Sequence, residues 1–150
     1  MADEYQLEII EEGVEAWNTW RKKYPQVMVN LNRADLREAN LSRVNFRNAD
    51  LSAANLKDVN LVGADLKGAN LNKANLKSAN LSGANLNQSF LKGANLSLAT
   101  LQGTKLREAS LQEAVLLLAD LYRSNLNGAD LTRQTSGVLT FVTPLFKKPN

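Results

Sequence analysis

The unit that decides the fold stands twice in residues 69–78, which read ANLNKANLKS. A large apolar residue recurs at every fifth position from Leu31 to Leu131, twenty-one times in all, and it is Leu at each position except Phe46. Two places before it stands a small residue, Ala in fifteen units, and between the two stands Asn or Asp in sixteen. The unit A-(N/D)-L-x-x therefore fills residues 29–133 without an insertion or a deletion.

A five-residue period fits neither an α-helix nor a continuous strand. Each step would turn a helix by about 140° beyond a full turn, so the leucines would spread around its surface. In a continuous strand the odd spacing would place successive leucines on opposite faces. Within one unit, however, Ala and Leu are two residues apart and can point the same way, so the other three residues must take the chain around a corner. Repeated corners of one hand predict a solenoid, in which inward residues stack from coil to coil.

Units such as 69–73 (ANLNK) and 84–88 (ANLNQ) resemble those of the pentapeptide-repeat proteins, and the resemblance covers about two thirds of the chain. Residues 13–21, GVEAWNTWR, also resemble the leading segment of many bacterial members of that family. The resemblance implies an all-β solenoid, a right-handed quadrilateral β-helix with four units, or twenty residues, in each coil. The repeat then forms about five coils, which at about 4.8 Å between neighbouring strands make a rod about 25 Å long.

The polar positions of the repeat are expected to serve its corners. Asn and Asp side chains accept hydrogen bonds from nearby backbone amides and tolerate turn geometry. Six glycines fall two places after the large apolar residue, where a tight corner favours a positive φ. They are Gly63, Gly68, Gly83, Gly93, Gly103 and Gly128.

The composition limits the chemistry that this chain can perform. Its 150 residues, 44% of them apolar, are enough for one domain with its own core. The sequence contains no Cys and no His, so it lacks disulfides, thiol chemistry, the commonest general base and the commonest transition-metal ligand. We therefore predict no cofactor, no metal site and no enzymatic activity. A leader peptide and an apolar run of about eighteen residues are also missing, so neither secretion nor membrane contact is predicted and the expected location is the cytoplasm.

Residues 1–28 are predicted to form an N-terminal capping helix of about twenty residues. Asp3 and Gln6 have the spacing of a capping box. Apolar residues then recur at helical spacing, at Leu7, Ile10, Val14 and Trp17. Trp17 and Trp20 are expected to cover the open apolar end of the first coil. The alternative is that these tryptophans anchor another protein.

Basic residues are expected to line two sides of the rod, because residues twenty apart stack. One outward column reads Arg37, Lys57, Lys77, Ser97 and Leu117, and another reads Arg47, Lys67, Asn87, Arg107 and Asn127. Residues 29–133 carry thirteen bases and nine acids, which allows a surface that binds polyanions. A solvated surface is preferred, since no aromatic residues interleave with these bases, and nucleic acid is not the expected partner. The carboxylates of Glu38 and Asp58 share a column beside two of the bases, where an ion-pair ladder is expected rather than a catalytic pair.

The regular surface breaks down towards the C-terminus. Consensus Asn or Asp is replaced there at Phe90, Thr100, Lys105, Ser110 and Val115. Leu98 and Leu118 share one outward column, with Leu117 and Val115 beside them, and these four residues define a C-terminal apolar wall. Such a patch exceeds ordinary surface scatter and predicts a cover. Residues 134–150 are predicted to be an apolar capping tail, so the cover is this tail, a second copy that forms a homodimer through the wall or the tail, or an unidentified protein partner.

The pattern fits three classes of function unequally. A structural or protein-interaction module without chemistry is preferred, because a rigid solenoid offers an extended binding surface. Family analogy adds DNA mimics that bind and protect DNA gyrase, but a mimic needs a dense negative surface and this chain carries a net charge of +3. An enzyme is disfavoured, since its catalytic groups must converge in a cleft and the repeat spreads them over convex walls.

Overall fold

The fold is known from a computed structural model, which describes residues 1–133. The predicted tail, residues 134–150, lies outside the described residues. Two helices come first, α1 at Glu4–Glu11 and α2 at Val14–Lys23. The repeat follows, and its units are joined by isolated parallel bridges rather than by extended strands.

The repeat forms the right-handed, four-sided β-helix that the family resemblance implied. Each bridge joins the residue before a large apolar residue to its equivalent twenty positions later, from Asn30 with Asp50 to Ser110 with Asp130. Four units therefore make one coil. Successive coils are held together by backbone hydrogen bonds in both directions, so the rod is stabilised by a parallel ladder on each of its four sides.

A tight turn closes every corner of the coil. In the first unit the amide of Ala34 donates to the carbonyl of Leu31 at 3.0 Å, and the same bond recurs along the rod. The third residue of each turn has a positive φ, from 54° at Ala53 to 72° at Gly128. The prediction for the six repeat glycines is confirmed, since all of them occupy this position. The other fifteen corners hold residues with a side chain, each at a cost of about 1 kcal/mol that the surrounding ladder offsets.

The inward positions form one continuous apolar core. Side chains such as Leu71 and Leu76 are fully buried, with the small residues of each unit packed beside them. The Asn and Asp side chains serve the corners as predicted, for example where Asn75 Oδ1 accepts from the amide of Lys77 at 3.3 Å. They also link the coils, because Asn75 Nδ2 donates to Asn55 Oδ1 at 3.1 Å.

The predicted helical cap is present, but it consists of two helices rather than one. Gly13 separates α1 from α2 with a φ of 111°, a conformation that residues with a side chain rarely adopt. This glycine explains why one helix of about twenty residues was the wrong expectation. Asp3 caps α1 as predicted, and its Oδ1 accepts from the amide of Gln6 at 3.0 Å.

Two tryptophans of α2 lie against the first coil. Trp17 is fully buried, and its ring meets that of Phe46 edge-on at a centroid distance of 5.4 Å. Its Nε1 donates to the carbonyl of Asn45 at 2.8 Å. Trp20 packs beside it at a centroid distance of 5.1 Å and is 9% exposed. The open apolar end of the β-helix is therefore covered by aromatic surface.

Two side-chain amides of the cap take the place of a preceding coil. Gln6 Oε1 accepts from the amide of Asn30 at 2.8 Å, and Gln6 Nε2 donates to the carbonyl of Met28 at 3.0 Å. Asn18 does the same at another corner, where its Oδ1 accepts from the amide of Asn45 at 2.8 Å and its Nδ2 donates to the carbonyl of Arg43 at 3.0 Å. A carboxamide has the donor and acceptor of a peptide group, so it satisfies the edge as another coil would.

Replacing Asn18 by Leu is expected to destabilise the fold by about 1–3 kcal/mol, because it leaves a backbone donor and a backbone acceptor without partners. Urea unfolding followed by circular dichroism measures the loss. Thr19→Leu is the matched control, since Thr19 is an exposed neighbour on the same helix. Equal unfolding midpoints for the two variants would show that the edge does not need this amide.

Candidate functional site

The four residues of the C-terminal apolar wall lie together, as the twenty-residue register predicted. Leu98, Leu117 and Leu118 are 49%, 45% and 50% exposed, and Val115 is half-buried beside them. The coils that carry them are tied directly, since the amide of Leu98 donates to the carbonyl of Leu117 at 2.8 Å. Leu98 and Leu118 both stand at positive-φ corners, where other units place glycine, alanine or polar side chains. The wall is therefore an apolar interruption of a polar side.

The basic column on the same side is partly neutralised by acids. Arg37 makes a two-pronged contact with Asp35, with Nη2 2.7 Å from Oδ2 and Nε 2.8 Å from Oδ1. That hydrogen bond lowers the pKa of Asp35. Lys57 lies 3.1 Å from the carboxylate of Asp58, while Lys77 is exposed and makes no ion pair within residues 1–133.

The second basic column is also partly neutralised by acids. Arg47 contacts Asp65 at 3.1 Å. Further along, Lys67 and Arg107 border a shallow cavity of about 240 Å³, but Glu108 lies in the same cavity and accepts from Gln88 at 2.9 Å. Each basic column thus carries its own acids, and neither forms an uninterrupted positive surface.

A family model described as pentapeptide repeats, in eight copies, matches residues 30–68, 60–97 and 94–133. The chain belongs to the pentapeptide-repeat family. The match spans the part of the chain that forms the β-helix, so it agrees with the coil geometry. No match was found among functionally curated proteins.

Two solved structures of pentapeptide-repeat proteins are similar to this chain. HetL, from the cyanobacterium Nostoc sp. strain PCC 7120, is 32% identical with a TM-score of 0.60, and the alignment covers 70% of this chain and 58% of HetL. AT2G44920, from the thylakoid lumen of Arabidopsis thaliana, is 31% identical with a TM-score of 0.54, and the alignment covers 63% of this chain and 62% of that protein. The chain therefore spans less than two thirds of either relative.

Within residues 1–133 of this pentapeptide-repeat protein, no group of three or more Asp, Glu, His or Cys side chains is placed to hold a metal ion. No helix in the described part of the chain is long and apolar enough to cross a membrane. The carboxylate of Asp58, considered as half of an acidic pair with Glu38, instead contacts Lys57.

A second surface was missed at the sequence level. At the cap, a cleft of about 270 Å³ is lined by Asp3, Tyr5, Gln6, Trp20, Tyr24 and Val27, and we call it the aromatic cleft. Only the spacing of Trp20 and Tyr24, four residues apart at the end of α2, could have indicated it. Tyr5 comes from the other helix, so the cleft depends on the packing of α1 against α2.

Proposed function

We propose that this pentapeptide-repeat protein is a non-enzymatic interaction module that holds a protein partner on its C-terminal apolar wall. The observation that carries this proposal is the placement of three half-exposed leucines, Leu98, Leu117 and Leu118, at one position on a mostly polar rod. Contiguous apolar surface of this kind is typical of interaction sites. HetL, which is similar over 70% of the chain, is involved in the regulation of heterocyst differentiation, and a regulatory role of that kind is compatible with action through a partner.

The size of the wall sets the strength of binding. A fully buried Leu contributes about 1.5–3 kcal/mol, so covering three half-exposed leucines contributes about 2–4 kcal/mol. Association itself costs at least about 4 kcal/mol. A partner must therefore also contact the polar neighbours of the wall, such as the exposed Gln102 on the next side. We expect a partner that combines an apolar centre with a polar rim.

The convex shape of the β-helix supports the non-enzymatic part of the proposal. Nucleophile, base and orienting group must converge in a cleft, and the repeat distributes its polar side chains over four flat sides. DNA mimicry is not proposed, because the repeat carries thirteen bases and nine acids. The interrupted basic columns likewise do not favour a polyanion. The cytoplasmic location stays a prediction, since one of the similar structures is of a thylakoid-lumen protein.

The double variant Leu117→Lys, Leu118→Lys is expected to abolish partner binding and leave the fold intact. Both side chains are exposed, and Lys already occupies the positive-φ corner at Lys73. Affinity capture from the native host's lysate, followed by measurement of the affinity of each captured protein, tests this expectation. The charge-matched control is Ala53→Lys, Asn127→Lys, which adds the same charge at exposed positions on other sides, away from the wall and its polar neighbours.

Partner affinity that falls at least tenfold for the wall variant and not for the control supports the proposal. Equal affinity for both variants would contradict it. Sedimentation of the purified protein separates the remaining occupants. A dimer that dissociates in the wall variant would assign the wall to a second copy of the chain, and deletion of residues 134–150 that increases partner binding would assign it to the tail.

A further inference from the structure

Three aromatic rings line the aromatic cleft at the cap. Tyr5 of α1 meets Trp20 of α2 at a centroid distance of 6.5 Å, with the ring planes 75° apart. Tyr24, which follows α2, lies at a centroid distance of 6.1 Å from Trp20, with the ring planes 48° apart. Mutually inclined rings cannot stack on one flat ligand. They line instead an open cleft together with Asp3, Gln6 and Val27.

Two of the three rings are exposed to solvent. Tyr5 is 60% exposed and Tyr24 is 42% exposed, whereas Trp20 forms the floor and is 9% exposed. Apolar burial alone would favour the opposite arrangement, since exposed tyrosine rings gain little from the core. The two tyrosines contribute little to the end cover that Trp17 and Trp20 provide. Their position beside the cavity therefore calls for a different explanation.

A carboxylate stands at the rim of the cleft. Oδ1 of Asp3 caps α1, and Oδ2 makes no hydrogen bond or ion pair with another group of residues 1–133. The cap as a whole is also negative, because residues 1–28 hold six acids against three bases, and those bases, Arg21, Lys22 and Lys23, come directly before Tyr24. The repeat carries the opposite charge, with thirteen bases and nine acids in residues 29–133. A cation is therefore attracted to the cap end of the molecule.

One ring of the cleft already contacts a cation. Lys23 Nζ lies 5.3 Å from the centroid of Tyr24, within the range of a cation–π interaction. Several aromatic rings around a cavity with a nearby carboxylate are the arrangement that recognises quaternary and methylated ammonium groups, because such cations are large, weakly hydrated and attracted to ring faces. The cleft volume of about 270 Å³ accommodates a head group of this size.

We propose that the aromatic cleft of Asp3, Tyr5, Trp20 and Tyr24 binds a methylated ammonium group. The methyl groups contact the three rings, and the charge faces Asp3. A free choline-type molecule and a methylated lysine of another protein present the same head group. This site is separate from the C-terminal apolar wall, since it lies on the cap and the wall lies near the last coil.

Tetramethylammonium chloride is the first probe, titrated at constant ionic strength with sodium chloride as the balancing salt. Binding is followed through the methyl proton signal of the probe, which moves upfield over aromatic rings, and through tryptophan fluorescence. The expected dissociation constant is about 1–10 mM, as befits a few weak contacts. tert-Butanol, a neutral molecule of the same shape, is the control and is expected to give no saturable shift.

Three variants test the named residues. Asp3→Asn keeps the helix cap, because Asn caps as well as Asp, and removes the charge. It and Tyr24→Leu are each expected to weaken binding about fivefold or more, while Tyr5→Phe, which keeps the ring, retains it. Tyr122→Leu, which removes a tyrosine from the repeat, is the remote control and is expected to bind as the wild type does. Thermal melts of all variants check that the cap remains folded.

The titrations distinguish a site for a methylated cation from an apolar pocket. A saturable response to tert-butanol equal to that of the cation would overturn the proposal in favour of an apolar pocket. No saturable response to the cation up to about 100 mM would also overturn it. Binding that survives Asp3→Asn unchanged would also overturn the proposal, since recognition of the charge depends on that carboxylate. If the cation binds as expected, choline chloride and a trimethyllysine peptide are compared, and the tighter ligand identifies the natural source.

Discussion

Leu76→Asp is expected to abolish the folded β-helix. Leu76 is fully buried in a middle coil, with Leu56 and Leu96 at the equivalent positions of the coils on either side. The substitution removes a core side chain, at a cost of about 2–5 kcal/mol, and adds a carboxyl group whose desolvation costs further free energy. A domain of this size is stable by only about 5–15 kcal/mol. The loss therefore approaches or exceeds the whole stability.

The position of the substitution adds to its effect. In a solenoid each coil is stabilised only by its neighbours, so a defect in the middle weakens the coils on both sides. Far-UV circular dichroism with a thermal melt measures the result. Lys77→Asp places the same carboxylate one residue later at an exposed position and is expected to melt within a few degrees of the wild type. A cooperative melt of Leu76→Asp at the same temperature as this control would show that the stacked leucines at this position do not form the core.

The repeat could be predicted from the sequence because its information is local and redundant. A strict period with Ala and Leu two apart indicates which residues point inward in every unit, whatever the rest of the chain does. The number of units in each coil was not contained in that period, since corners of several angles would close a coil. It came from the resemblance to the family, and the pairing of Asn30 with Asp50 confirms it.

The cap was less accessible to sequence analysis because its details depend on tertiary contacts. The apolar spacing continues across Gly13, so the pattern predicted one helix, while the break follows from the backbone conformation of that glycine. Gln6 was predicted to complete a capping box, but its side chain bonds to Met28 and Asn30 at the edge of the first coil. No local rule makes a helical Gln act as a substitute for a peptide group.

The candidate surfaces likewise combine features that the sequence could predict with features that it could not. Leu98 and Leu118 could be placed together because twenty residues separate them and the register fixes what stacks. The ion-pair partner of Arg37 could not be predicted, since the register placed acids in the next column. The guanidinium instead contacts Asp35 in its own unit. Side-chain rotamers decide such contacts, and periodicity does not determine rotamers.

Trp17→Ala is expected to destabilise the protein by about 3–5 kcal/mol, the range found when a buried aromatic residue is truncated. Trp17 is fully buried between the cap and Phe46, and its loss opens a cavity at the point where α2 covers the first coil. The carbonyl of Asn45 also loses the Nε1 donor that lies 2.8 Å away. Urea unfolding, followed by circular dichroism for the helices and the β-helix together, gives the change in free energy.

Two further variants separate the causes. Trp17→Phe keeps most of the apolar volume but removes the Nε1 donor and leaves a small void, so about 1–2 kcal/mol of the loss should remain. Tyr5→Ala truncates an aromatic residue of the same cap that is 60% exposed, and it should cost about 1 kcal/mol or less. The decisive comparison, within Trp17→Ala, is between the unfolding of the cap helices and the unfolding of the β-helix. If the helices unfold in dilute urea while the coils keep their unfolding midpoint, the β-helix is stable without its cap. A single transition at a lower urea concentration would show instead that the covered first coil stabilises the whole rod.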